Sequence, residues 1–168
     1  MVFRVAAAVL FTVVGGIIGF SLSDRLREAG KSCQAVEHLL RKCAYLVGKR
    51  HEDVYGICRQ LKSDEQLRRF TFIVNLPVEY KVGEDFHIIW RNVLKDERNA
   101  GKGELDLLYR LGEILGRSDS ENQRENIEAL IGEAEELSAM HRDEMLKKGR
   151  LYRGAGLLFG VMAGIIVL

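Results

Sequence analysis

The chain has 168 residues, 47% of them hydrophobic, with 25 basic and 24 acidic side chains and a formal net charge of +1. That length holds one domain with a modest core. A near-neutral charge, a single Trp and no basic-aromatic interleaving argue against nucleic-acid binding, and an odd count of three cysteines argues against a disulfide-stapled secreted domain.

The charges are unevenly placed. Residues 5–23 (VAAAVLFTVVGGIIGFSLS) and 154–168 (GAGLLFGVMAGIIVL) carry none, and Arg4 is the one charge outside the middle, which balances to zero without it. At about 1.5 Å per helical residue these stretches extend roughly 28 Å and 22 Å, against a hydrocarbon core of about 30 Å. The shorter one spans if Arg153 snorkels, Tyr152 sits at headgroup level and the bilayer thins. The pattern predicts a transmembrane helix at each end, 1–23 and 154–168, around a middle domain of 24–153. Two other readings stay open. The SLS before Asp24 resembles a signal-peptide cleavage site, although the apolar run is long and the helical pattern passes the cut. The last stretch fits a buried core helix, but it lacks a polar face. Basic residues flank the middle domain: Arg25, Arg27 and Lys31 after the first stretch; Arg142, Lys147, Lys148, Arg150 and Arg153 before the second. By the positive-inside rule the middle is expected in the cytoplasm, with both termini on the far side of a cell membrane.

In chain order, Leu26, Ala29, Cys33, Val36, Leu40, Cys43 and Val47 alternate by threes and fours, which predicts that the first helix runs on to about Val47 and stops at Gly48. All three cysteines, Cys33, Cys43 and Cys58, fall at apolar helical positions and are expected to be small core residues. A short second helix is predicted over 52–61. Ser63 and Gln66 form a capping box for a third, with Leu67, Phe70, Ile73 and Val74 buried and an end before Pro77, the only proline. Phe86, Ile89, Trp90, Val93 and Leu94 mark a fourth, and DERNAGKG is a loop. Leu105, Leu108, Leu111 and Leu115 mark a fifth. The sixth is predicted from about Ser120 to the chain's end, with Ile127, Leu130, Ala134, Leu137, His141 and Met145 as its buried stripe. No strand-like alternation occurs. Because both ends of the domain must meet the membrane, an even number of helices is required. The predicted fold is therefore all-α, a six-helix antiparallel up-and-down bundle with a membrane helix at each end.

The stretch LGEILGRSDSENQ, residues 111–123, is the one place that suggests a site. A phosphate loop needs a preceding strand and a Lys-Ser/Thr step, and neither is present. Gly116 fits a helix C-cap, Ser118 and Glu121 a second capping box, and Gly112 a close approach by another helix. The exposed polar remainder, Arg117, Ser118, Asp119, Glu121 and Gln123, is a candidate partner-docking corner at the membrane-distal end of the bundle. Metal chemistry in a bundle needs two Glu-x-x-His units; one occurs, Glu84 to His87. His38, His51, His87 and His141 are scattered, and Glu133, Glu135 and Glu136 read as a solvated face. The residues offer no catalytic constellation, no metal site, no cofactor and no small-molecule substrate. Gly15 and Gly19, and Gly156, Gly160 and Gly164, have the spacing that lets membrane helices pack closely.

The architecture, the segment YRLGEILGRSDSENQ at 109–123 and the basic KKGRLYRGAG at 147–156 resemble the stage III sporulation protein AB family. The specific match is Leu111, Gly112, Leu115, Gly116, Ser118, Asp119 and Gln123. The resemblance implies a structural component of a channel between mother cell and forespore, in the mother-cell membrane around the forespore. It implies a cytoplasmic domain similar to the platform protein of type II secretion and type IV pilus machines. The implied partners are other stage III sporulation channel proteins, including a secretion-type ATPase. Two alternatives are a membrane-anchored helical signalling or adaptor bundle without a sporulation role, and a small membrane enzyme. A sensor needs an outside ligand domain. An enzyme needs polar residues gathered in a span, where only Thr12, Ser21 and Ser23 occur.

Overall fold

A computed structural model describes residues 2–117 and 120–167, with side chains described throughout 20–148 apart from 118–119 and at scattered positions outside that range. Six α-helices follow one another: α1 (Val2–Arg50), α2 (Val54–Lys62), α3 (Thr71–Val74), α4 (Phe86–Lys95), α5 (Lys102–Ile114) and α6 (Ser120–Val167). A single 3-10 turn, Glu65–Leu67, lies between α2 and α3, and no strand occurs among the described residues. The chain divides into two compact units, Lys31–Ser138 and the two chain ends.

In the unit Lys31–Ser138, α1 buries Cys33, Val36, Leu40, Cys43 and Val47, the seam expected from their spacing, together with Leu39 and Leu46. Opposite it, α6 buries Ile127, Leu130, Ile131 and Ala134, while Leu137 packs at the edge of the core. The two helices are antiparallel. Ser138 Oγ meets Cys33 Sγ at 3.2 Å, Arg41 pairs with Glu135, and a Cβ on Gly48 would meet the Arg124 side chain, so numbering falls along α6 as it rises along α1. α5 is antiparallel to α6, with Arg110 beside Glu133 and Gly103 beside Leu137. α4 is antiparallel to α5, with Trp90 Nε1 donating to the Leu108 carbonyl at 2.8 Å and His87 Nδ1 lying 2.7 Å from the Gly112 carbonyl. The core continues through Ile57, Leu61, Leu67, Phe70, Phe72, Trp90, Leu94, Leu108, Leu111 and Leu115.

Several boundaries differ from the sequence expectation. α1 passes through Gly48 to Arg50; Gly48 is a place where Arg124 of α6 comes close, not a terminator. The helix stops at His51, a non-glycine residue with φ +49°, and the Glu52 amide closes back on the Leu46 carbonyl at 3.2 Å. α2 begins two residues late because Asp53, not Glu52, leads it: the Asp53 carboxylate accepts from the Gly56 amide at 2.8 Å.

The Ser63–Gln66 capping box does not form. Ser63 closes α2, its hydroxyl donating to the Gln60 carbonyl at 2.9 Å, and Asp64 accepts the Gln66 amide at 3.0 Å. The expected third helix breaks into the 3-10 turn and the single turn of α3. The physical cause is remote in sequence. Buried Glu97, from the loop after α4, places one carboxylate oxygen 3.0 Å from both the Phe72 amide and the Thr71 hydroxyl, so a fresh helix start is capped at residue 71. Phe72 is thereby buried and Val74 exposed, against the expected stripe. One turn carries no bundle rung. α2 is antiparallel to α1, so by the pairings above α2 and α4 run the same way, and residues 63–85 return the chain between them.

The second unit holds the described residues up to Gly30 and from Ala139 onward, the ends of α1 and α6. Among the described residues no helix is long and apolar enough to cross a membrane, so the flanking spans expected at 1–23 and 154–168 are not borne out in this structure. At the described positions α1 nonetheless exposes Leu10, Val13, Ile17, Ile18 and Phe20, and α6 exposes Leu151, Leu158 and Met162. Gly15, Gly19, Gly156, Gly160 and Gly164 are helical, but what surrounds them lies outside the described residues.

Candidate interaction surfaces

The corner after α5 is built around Gly116. Leu115 ends the helix, its amide bonded to the Leu111 carbonyl at 3.0 Å, and Gly116 takes φ +79°. That value suits glycine because it has no Cβ to strike the following carbonyl. The Gly116 amide donates to Gln123 Oε1 at 3.1 Å, so a side chain on α6 closes the end of α5. Ser118 and Asp119 lie outside the described residues, and with them the expected Ser118–Glu121 capping box. Glu121 pairs with Arg124 at 2.6 Å, and Arg124 with Glu128 at 2.8 Å. Of the five corner residues singled out in the sequence, Gln123 has a structural bond and Glu121 a helix-surface ion pair.

Arg117 belongs to a different feature. It lines a cleft on the α4–α5 face with Asp85, Ile88, Arg91, Lys95 and Glu113. Glu113 sits between two guanidiniums, Arg91 Nη2 at 2.6 Å from one carboxylate oxygen and Arg117 Nη2 at 2.8 Å from the other. The Arg91 hydrogen bond, with Arg117 behind it, holds the Glu113 carboxyl below its usual range despite slight desolvation. Asp85 caps α4, accepting the His87 amide at 2.8 Å. Periodicity could not find this cleft, because its residues come from exposed positions on two helices and just beyond their ends, and the α4–α5 hairpin brings them together.

Three other carboxylates tie helices or turns together. Asp64 accepts from Lys42 Nζ at 2.6 Å and lies 2.9 Å from His38 Nε2. Glu133 takes two bonds from Arg110 (the Nη2 one at 2.7 Å), and Glu135 pairs with Arg41. Glu133, Glu135 and Glu136 are exposed as expected, and the first two also tie α6 to α5 and α1. Cys33, Cys43 and Cys58 are free and buried. Among the described residues no group of three or more His, Cys, Asp or Glu is placed to hold a metal ion, and the Glu84–His87 unit turns its imidazole to the Gly112 carbonyl. Near the chain ends, Arg25 and Arg27 are exposed, while Lys147 and Lys148 pair with Asp143 and Glu144. The side chains of Arg150 and Arg153 lie outside the described residues.

The sequence profile described as stage III sporulation protein AB matches residues 4–168. No curated protein and no solved structure matches the chain. A match of that extent places the motif residues 111–123, the bundle and both chain ends within one profile, and the chain belongs to the stage III sporulation protein AB family.

Proposed function

We propose that this family member is a structural membrane protein of endospore formation, a platform-type component of a secretion-like channel between mother cell and forespore. Two membrane helices anchor it by the first and last parts of α1 and α6. The helical bundle lies in the mother-cell cytoplasm, both termini lie on the far side, and a secretion-type ATPase docks on the bundle together with other stage III channel proteins. The role is structural, not catalytic.

The observation that carries this reading is the pair of uncharged runs, 5–23 and 154–168, placed at the two ends of a chain whose family match covers both. A stripe of large side chains such as Leu10, Ile17, Phe20, Leu158 and Met162 left open on helices is unfavourable in water and expected in lipid. The basic flanks Arg25, Arg27, Lys147, Lys148, Arg150 and Arg153 supply the orientation.

Reporter cysteines test the topology, because the three native thiols are buried. With the chain expressed in the cell membrane of vegetative cells, a cysteine at Met1 or after Leu168 should react with an impermeant reagent added outside, and one at Gly101 should not. The reverse pattern overturns the orientation. Co-purification of the full chain with a secretion-type ATPase from the same cells tests the partner; a chain that binds neither such an ATPase nor another stage III protein has no channel role.

A further inference from the structure

We propose that the α4–α5 cleft, rather than the tip of the corner at 118–123, is the surface on which a cytoplasmic protein partner docks, through a carboxylate-rich segment of that partner. The inference rests on the platform reading above and adds to it the surface and the chemistry of the contact.

Charge gives the first reason. The cleft is lined by Arg91, Lys95 and Arg117 against Asp85 and Glu113. Neither carboxylate is turned over to a partner. Asp85 is spent on the first turn of α4, and Glu113 is shared by both arginines. A guanidinium has five N–H donors in a fixed fork, more than the one Glu113 oxygen that each arginine meets can take, so both arginines retain bonding capacity toward the cleft. Glu113 acts as a clasp. It sets two long side chains side by side before any partner arrives, which lowers the conformational entropy lost on binding. Lys95, one helical turn on from Arg91, lengthens the cationic edge; its ammonium meets the Asn92 amide oxygen at 2.8 Å.

The second reason is an apolar anchor. Ile88 lines the same cleft, is 60% exposed and sits one turn before Arg91. An interface core wants an apolar contact ringed by arginine, and a purely electrostatic surface would not need one. The third reason is rigidity. Buried Trp90 and His87 of the cleft's own lining bond to the Leu108 and Gly112 carbonyls, so α4 and α5 present their outer residues as a single fixed face. By contrast, at the corner tip Gln123 and Glu121 are engaged in closing α5 and pairing with Arg124.

The experiment uses the full chain in nanodiscs and a purified secretion-type ATPase from the same cells as the probe, with binding measured at low and high salt. Wild type should bind, and binding should weaken as salt rises. Arg91→Glu with Lys95→Glu should weaken it at least tenfold, Ile88→Ala several-fold, and Asp119→Lys less than twofold. Circular dichroism and melting of each variant separate lost binding from lost folding, and Lys95→Glu alone, which breaks no ion pair, should still weaken binding measurably. If wild type binds and the Arg91/Lys95 and Lys95 variants bind equally well, the cleft assignment is wrong while the platform reading stands. If Asp119→Lys abolishes binding and the cleft variants do not, the corner is the docking site. If wild type itself fails to bind the ATPase, both the cleft assignment and the ATPase reading fall.

Discussion

Trp90 occupies the space that a Cβ on residue 112 would fill: an alanine there would place its methyl carbon only 2.1 Å from the indole Cδ1. The indole cannot swing away cheaply, because it is buried and its Nε1 donates to the Leu108 carbonyl one turn earlier on the same helix. Gly112→Ala improves intrinsic helix propensity by about 1 kcal/mol. It is nevertheless expected to destabilise the chain by about 1–3 kcal/mol, the range for overpacking a filled core. Urea titration of the full chain in mild detergent measures this, and a variant as stable as wild type would show that α4 and α5 are not this close.

Two left-handed residues should respond in opposite directions. Gly116 has φ +79° and Val54 Cγ1 lies 3.0 Å from where its Cβ would be, so Gly116→Val adds both strain and a tight contact. A loss of roughly 1–3 kcal/mol is expected. His51, at φ +49°, already carries that strain at the end of α1. His51→Gly should therefore stabilise by about 0.5–1 kcal/mol, the relief being partly offset by the greater unfolded-state freedom of glycine. The same urea titration reads both, and loss of stability in His51→Gly would contradict the backbone geometry at the α1 terminus.

The three thiols should be silent in the native protein. Burial pushes Cys33 up despite the Ser138 hydrogen bond, pushes Cys43 up strongly, and raises Cys58 to about 12. All three are protonated at pH 8 and out of reach of solvent, so a maleimide should label none of them over minutes and all of them in guanidinium. Stoichiometric labelling without denaturant would mean that the packing of α1 against α2 and α6 opens readily.

Asp64 supplies an acid-sensitive share of stability. Its partial desolvation favours the neutral form. Hydrogen bonds from Lys42, His38 and the Gln66 amide outweigh that and lower the carboxyl to about 2. A carboxyl depressed in the folded state stabilises above its unfolded value, near 4, and loses that contribution as pH falls toward 2. Asp64→Asn should cost roughly 2 kcal/mol at pH 7, and the gap to wild type should close between about pH 4 and pH 2. A gap that stays constant with pH would mean that the Lys42 and His38 contacts act by packing alone.

Side-chain spacing alone determined much of this protein. The seam Cys33–Val36–Leu40–Cys43–Val47 and the stripe Ile127–Leu130–Ala134 were legible because a helix of 3.6 residues per turn must place such residues on one side, and all of them are buried. Gly116 was legible as a C-cap because few residues but glycine take a positive φ without strain, and the family was legible in the residues around it. Tertiary structure decided what depends on partners far away in the chain. The break of the third helix into a 3-10 turn and one helical turn follows from Glu97 reaching back to Thr71 and Phe72, and no local pattern encodes a cap 25 residues distant. Asp64, not Ser63, became the key residue of that turn because Lys42 and His38 of α1 meet it there. The clasp of Arg91 and Arg117 on Glu113 is likewise completed only once α4 and α5 fold against each other: Arg117 lies four residues on from Glu113 and is within local reach, but Arg91 is brought to it by the helix beside it.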